Sequence, residues 1–358
     1  MRFIRLAILS ASLVLLTCVA GDVSSAHAQS PGAAKTGFAL KKPVFGGACV
    51  SCPWGAMAIV VKKALAPYGW DVQICWSCAG GARAARLMAA GVMAPPPANP
   101  TPDSPPTPPG VIDFGATGAQ FLWWAYQGTH DFAKDPEGPR KNLRIIANIQ
   151  DPQYMLVAVK ADSGITDLRQ IPEKKLPVRI MASTVGGLVT PAILDYYGLT
   201  KEAVAANGGQ LMTSAPVPER KNLDVIIGFG TLDNAPEYNI WYDVSQRLDL
   251  KYLELSKDLR EKLEKEFDLE EQEIPEGMLR GVDRRIPATA RTGTVIYGRT
   301  DMPDEFAYTV AKAMDEHQEL LQWSNMNFSY NWHTVWKAYG VPLHPGAARY
   351  YKERGYMK

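Results

Sequence analysis

Val44-Phe45-Gly46-Gly47-Ala48, Trp70-Asp71-Val72-Gln73-Ile74-Cys75 and Val111-Ile112-Asp113-Phe114-Gly115 are three short apolar runs of strand length, and residues 56–66 and 82–90 between them carry helical composition. Strand, helix, strand, helix, strand in this order predicts a parallel sheet with helices on its faces. Such a sheet leaves backbone N–H groups free at helix N-termini beyond the carboxyl ends of its strands, so the loops after the first two strands are where a ligand would be received. A second alternating block follows. It has strands at 143–149, 154–160, 178–182 and 225–229, and a helix from Thr190-Pro191, read as N-cap and first helical residue, to Tyr197-Gly198. A charged amphipathic helix is expected over 251–273, a strand at 292–298 and a helix over 304–323. The order gives an α/β protein with two lobes and a ligand cleft between them: residues 29–152 and 290–358 in the first lobe, 153–289 in the second. Hinge closure over the ligand is the matching motion.

Residues 95–110 hold nine prolines in sixteen positions, which rules out helix and central strand. The segment reads as an extended, solvated, mobile insertion in the first lobe.

The charge balance, 38 Lys and Arg against 37 Asp and Glu in 358 residues, excludes nucleic-acid binding by electrostatics. Outside the N-terminus no apolar run reaches the length of a membrane helix. At the N-terminus, Met1-Arg-Phe-Ile-Arg5 and the apolar stretch from Leu6 to Ala20 form a secretory signal peptide, with Ala26-His27-Ala28 placing cleavage after Ala28 and the mature chain in the periplasm. A lipid anchor on Cys18 is the competing reading. Cleavage removes Arg2, Arg5 and Asp22 and leaves the two signs of charge equal.

Cys49, Cys52, Cys75 and Cys78 remain after cleavage, in two C-x-x-C pairs after neighbouring strands. An oxidising compartment favours disulfides, in any of three pairings. A soft-metal centre and redox-active thiols are the other readings of the same four sulfurs. Gly80-Gly81 ahead of a helix with Arg83 in its first turn is an arrangement that receives an anion, with Arg86 one turn on; both arginines can equally solvate the helix. Gly186-Gly187 before Thr190 offers a similar donor-rich loop in the second lobe. Trp54, Trp123 and Trp124 suit either a cleft wall or the core, and Thr231 and Asn234 place polar groups at the end of strand 225–229. His130, His317, His333 and His344 lack ligand spacing, and no nucleophile-and-base motif, phosphate loop or dinucleotide fingerprint occurs. An enzyme is therefore not expected, nor a cofactor.

His344-Pro-Gly-Ala-Ala-Arg-Tyr-Tyr-Lys-Glu-Arg-Gly355 resembles the closing motif of the TAXI family, the solute receptors of TRAP-type transporters. Gly46-Gly47, Pro53-Trp54-Gly55, Arg86-Leu-Met-Ala-Ala-Gly91, Asp195-Tyr-Tyr-Gly-Leu199 and Pro303-Asp-Glu-Phe306 resemble further stretches of that family. The resemblance implies a two-lobed type II periplasmic-binding-protein fold. It also implies a receptor that binds a small, usually acidic, solute and hands it to the membrane permease subunits, with a monomer expected. It places Gly46, Gly47 and Trp54 in a first ligand loop, Gly80 and Gly81 in a second, and Ser183, Thr184 and Gly186 in a third. Where the family carries Thr-Gly-Gly-Ser the chain has Cys78-Ala79-Gly80-Gly81, and Cys52 replaces an aromatic residue. These departures motivate the alternative function, a receptor fold turned into a periplasmic metal-handling or redox accessory.

Overall fold

The computed structural model describes residues 38–39, 41–49, 53–149, 152–183, 187–232, 239–291, 293–324, 326 and 329–358; residues 1–28, read from sequence as a signal peptide, and Cys52 lie outside them. In chain order the elements begin with β1 (Val44–Gly47), α1 (Pro53–Leu65), β2 (Gln73–Ala79), α2 (Ala82–Ala90), β3 (Ile112–Gly118), α3 (Ala119–Gln127) and β4 (Leu143–Asn148). The chain then passes to β5 (Gln153–Lys160), α4 (Gln170–Glu173), β6 (Arg179–Ala182), α5 (Val189–Tyr196), α6 (Lys201–Ala206), β7 (Gln210–Met212), β8 (Val225–Gly230) and α7 (Asn239–Arg247). After β9 (Leu250–Tyr252), α8 (Lys257–Phe267), β10 (Glu270–Ile274) and β11 (Ile286–Arg291) it returns through β12 (Thr294–Arg299) to α9 (Asp304–Glu316), α10 (Glu319–Trp323) and α11 (Pro345–Glu353).

One sheet has the order β2-β1-β3-β12-β4 and the other β10-β11-β5-β8-β6-β7, with β9 beside β5, within the single compact unit of residues 35–358. This is the two-sheet α/β fold that the resemblance implies. The sheets are mixed where the sequence predicts parallel ones. β1 is parallel to β2 and β3, and β6 to β7 and β8. β12 runs antiparallel to β3 and β4, and β5 antiparallel to β8 and β11. The cause is the short crossings: β4 ends at Asn148 and β5 begins at Gln153, while β11 ends at Arg291 and β12 begins at Thr294. A departing strand ends, and an arriving strand starts, on the edge that faces the other sheet. The carboxyl ends of β1, β2 and β3 therefore face the carboxyl ends of β6, β7 and β8 across the crossings.

Both faces of each sheet are buried. Along β5, Met155, Val157 and Val159 enter one cluster while Tyr154, Leu156 and Ala158 enter another, as the alternation of a strand requires. In the first lobe Phe45, Phe114 and Phe306 meet edge to face at 5.1 and 5.0 Å on one side of the sheet, and Leu122, Trp124 and Tyr297 pack on the other.

Two expected helices come out shorter. Residues 251–273 divide into the end of β9, α8 and β10, because Asp268 takes a left-handed φ of 52° that stops α8 and β10 pairs antiparallel with β11. Residues 304–323 break at His317 into α9 and α10.

The proline-rich insertion is also held where the sequence suggests it is loose. Ala94 N–H donates to Gly110 O at 3.1 Å and Ile112 N–H to Val92 O at 2.9 Å, closing its base. Ser77 Oγ donates to Pro95 O, Pro108 is buried, and Pro105–Pro109 face Ile74 and Trp76 across a cavity of about 320 Å³. β2 is the last strand of its sheet, so prolines, which cannot donate to a ladder, run beside an otherwise open edge. Replacing residues 96–109 with a short Gly/Ser link should lower stability by about 1 to 2 kcal/mol through exposure of Ile74 and Trp76 and promote self-association. Thermal melting and light scattering read both, and no change in either would show that the strap is idle.

The C-terminal motif is a fastener. His344 caps α11 by accepting Gly346 N–H on Nδ1 at 3.3 Å. Asp315, buried, accepts hydrogen bonds from Tyr350 at 2.6 Å, Tyr330 at 2.8 Å, Tyr356 at 3.0 Å and the Arg354 guanidinium at 3.1 Å. Burial holds the His344 imidazole below its ordinary value of 6.5, against the opposing pull of Asp304 and of the Met302 backbone. The folded state thus binds fewer protons than the unfolded one, so the His344 contribution is intact above pH 6.5 and is lost as the pH falls below it. Urea titrations across that range should show the decline, and His344→Asn, which keeps a capping acceptor without the titration, should make it shallower.

Candidate functional site

The crossings bring the carboxyl ends of both sets of parallel strands to one cleft, and the residues singled out in the sequence fall there in two groups. On the first lobe the glycine loops are filled by the chain itself, while a cavity of about 270 Å³ lies between Ala119, Gln120 and Trp123 and the second-lobe residues Asp268 and Glu270. A Cβ at Gly47, whose φ is +87°, would stand 2.0 Å from Ala116 O, and one at Gly115 would stand 2.3 Å from Gly46 O. Gly46 and Gly47 thus let β1 and β3 approach. A Cβ at Gly80 would fall 2.1 Å from the Trp54 ring, so Gly80 admits an indole where the sequence suggested a ligand. That indole donates from Nε1 to Thr294 Oγ1 at 3.0 Å, tying the first loop to the second crossing.

Cys75 and Cys78 form a disulfide with their Cα atoms 5.4 Å apart, and both are fully buried. Ile74 pairs with Phe45 and Ala79 with Gly47, so five steps along β2 match two along β1. The bond closes this bulge and aims Gly80-Gly81 at α2. Cys49 is likewise disulfide-bonded.

Of the two arginines on α2, Arg86 is committed to the fold. Its Nε donates to Asp135 Oδ2 at 2.7 Å and its Nη2 to Oδ1 at 3.1 Å, and the bond holds the Asp135 carboxyl below the usual carboxylate range. Arg83 is exposed and has no ion pair among the described residues.

Trp124 is a clasp between lobes. It is buried, donates from Nε1 to Asp268 Oδ2 at 2.8 Å, and stacks on His130 at 4.2 Å. His130 Nε2 meets Glu266 O at 2.7 Å, and Gln120 donates to Phe267 O. Phe267 packs against the core clusters of both lobes. Trp123 lies against Gly340.

On the second lobe the cleft edge retains space. A cavity of about 450 Å³ lies beyond the ends of β6 and β7 and is lined by Ser183, Gly187 and Thr190 together with Lys201, Leu211 and Met212. Thr190 does not cap α5. The N-cap is Leu188, and the Thr190 Oγ1 is buried with no hydrogen-bond partner. Thr231 is buried just past β8. Thr184, Gly186 and Asn234 lie outside the described residues.

Sequence reasoning missed Arg291 and Gln153. They face each other in the β5–β11 pairing at the crossing, and Arg291 Nε donates to Gln153 Oε1 while its guanidinium sits 4.5 Å from the Phe229 ring centroid. Their only signal was position, the last residue of one strand and the first of another.

The model of the NMT1-like family matches residues 109–355. Among solved structures the chain is similar to a TctC solute-binding protein from Polaromonas, at 12% identity and a TM-score of 0.42 over 88% of this chain and 98% of that one. It is similar to a chloride-bound protein from Xanthomonas citri at 12% identity and 0.41, over 87% and 95% of the two chains. A periplasmic transporter follows at 11% identity and 0.38, over 87% and 91%.

The clasp makes a direct prediction. Trp124→Phe removes part of the buried ring and the N–H to Asp268, so it should cost about 1.5 to 3 kcal/mol and raise amide exchange at residues 119–130 and 257–268. Exchange that rises uniformly over the chain would mean that the bond serves the core and not the interlobe contact.

Proposed function

We propose, from the premise that this chain belongs to the NMT1-like family, that it is an extracytoplasmic solute receptor. It captures a small, carboxylate-bearing solute between its lobes, performs no chemistry on it, and delivers it to a membrane permease. The observation that carries the reading is the double crossing, which sets the free ends of two parallel strand groups face to face and leaves one of them with an unfilled cavity. Receptors of this kind need two halves joined by a narrow connection that bends. The TAXI-like C-terminal motif supports the finer assignment to a TRAP-type permease, and the basic head, apolar stretch and Ala26-His27-Ala28 support export with cleavage after Ala28.

No feature of the described residues favours the metal or redox accessory. Cys75 and Cys78 are bonded and fully buried inside a strand bulge, whereas reactive thiols sit in accessible, electropositive surroundings.

The test is a thermal-shift screen of the mature chain against a broad solute panel, with native mass spectrometry for retained solute. A true ligand at a hundred times its Kd should stabilise the protein by about 2.7 kcal/mol. A panel of acidic and neutral metabolites with no stabilising member, or detection of turnover, would remove the receptor reading.

A further inference from the structure

We infer that the second-lobe cavity binds the hydrocarbon part of an amphipathic monocarboxylate, with Lys201 meeting the carboxylate. The inference deepens the receptor reading and rests on it. Pro191, Leu194, Leu211 and Met212 give the cavity an apolar wall, Lys201 is the one charged side chain among the described residues that line it, and its volume of about 450 Å³ is that of a small-molecule site. Lys201 is exposed, lines the cavity and makes no ion pair among the described residues, so its ammonium is available to a carboxylate there.

Thr190 points to a ligand independently. It is 2% exposed, lines the cavity, and its Oγ1 has no hydrogen-bond partner. A buried hydroxyl without a partner is unfavourable, and one oxygen of the same carboxylate that meets Lys201 would satisfy it, leaving the chain to the apolar wall. A short dicarboxylate would bring a second charge into a cavity whose remaining polar lining, Ser183, Thr213 and Ser214, offers hydroxyls and no second cation among the described residues. An unbranched or aromatic chain ending in one carboxylate matches both the wall and the single cation. On the first lobe the corresponding loop has no such room, since Trp54 lies over Gly80.

The probes are linear monocarboxylates of four to ten carbons, the matching primary alcohols, and the matching dicarboxylates, titrated calorimetrically into the mature chain. Affinity should rise about fourfold per added methylene until the cavity is full. Alcohols and dicarboxylates should bind at least tenfold more weakly than the monocarboxylate of equal length. Lys201→Gln should erase the preference for acid over alcohol while keeping the dependence on length. Leu211→Trp, which fills the cavity, should abolish binding, with circular dichroism confirming the fold. Thr190→Val should weaken the tightest acid severalfold. Binding that survives Leu211→Trp unchanged, or a wild type that prefers dicarboxylates, would overturn the inference and leave the receptor reading standing. A wild type that binds none of these probes while the broad screen finds another ligand would do the same; failure of the broad screen itself would sink both.

Discussion

Everything at the candidate site follows from how little chain joins the two sheets. With four residues between β4 and β5 and two between β11 and β12, each strand that changes sheet must present its crossing end to the other lobe. That fixes the direction of β12 and β5, and through their hydrogen bonds the direction of all their neighbours. The parallel strands then have no freedom over which edge carries their carboxyl ends. The loops that hold Gly80-Gly81, Ser183 and Thr231 come to the cleft because two short connections leave no other arrangement.

The C-terminal stretch 344–355 is remote in kind from ligand chemistry. His344 caps α11, a Cβ at Gly346 would stand 1.9 Å from Asp304 O, and Tyr351 donates to Ile146 O at 3.0 Å. Tyr350, Tyr356 and Arg354 converge on Asp315. Such a cluster ties the last helix to α9 and β4, so it constrains the fold of the first lobe and says nothing about the solute. A buried carboxylate with this many donors tolerates little substitution, which is why the motif is legible as a string of residues while the cleft loops are not.

The sequence exposed the first block well because its apolar runs are short and separated by Gly and Pro; β1, β2, α2 and β3 fall within a few residues of expectation. α3 was not legible, since Ala119-Gln-Phe-Leu-Trp-Trp-Ala-Tyr-Gln127 is apolar nearly all round and shows no single face. β10 was absorbed into a helix because Glu270-Glu-Gln-Glu-Ile274 is an edge strand, and an edge strand carries charge without burying it. The glycines were legible as positions of close approach, but sequence does not say what approaches. At Gly80 it is an indole of the same chain, at Gly46 a neighbouring strand. Leu211, Met212 and Lys201 gave no signal at all, for they meet Thr190 only through the packing of α5 and α6 on β6 and β7.

The two crossings also determine how the lobes can move. Tyr154 and Gln153 pair with Ala290 and Arg291 on one side, and Asn148 pairs with Val295 on the other, so the connections are bound to each other above and below the gap. Arg291 to Gln153 adds a side-chain link at the gap itself. Two strands coupled in this way bend together about one axis, whereas two independent linkers would let the lobes twist and slide. The Trp54 to Thr294 bond fixes the first-lobe loop to the same ribbon. The Trp124 to Asp268 and Gln120 to Phe267 bonds join the lobes as well, so any bending about the ribbon has to carry or break them.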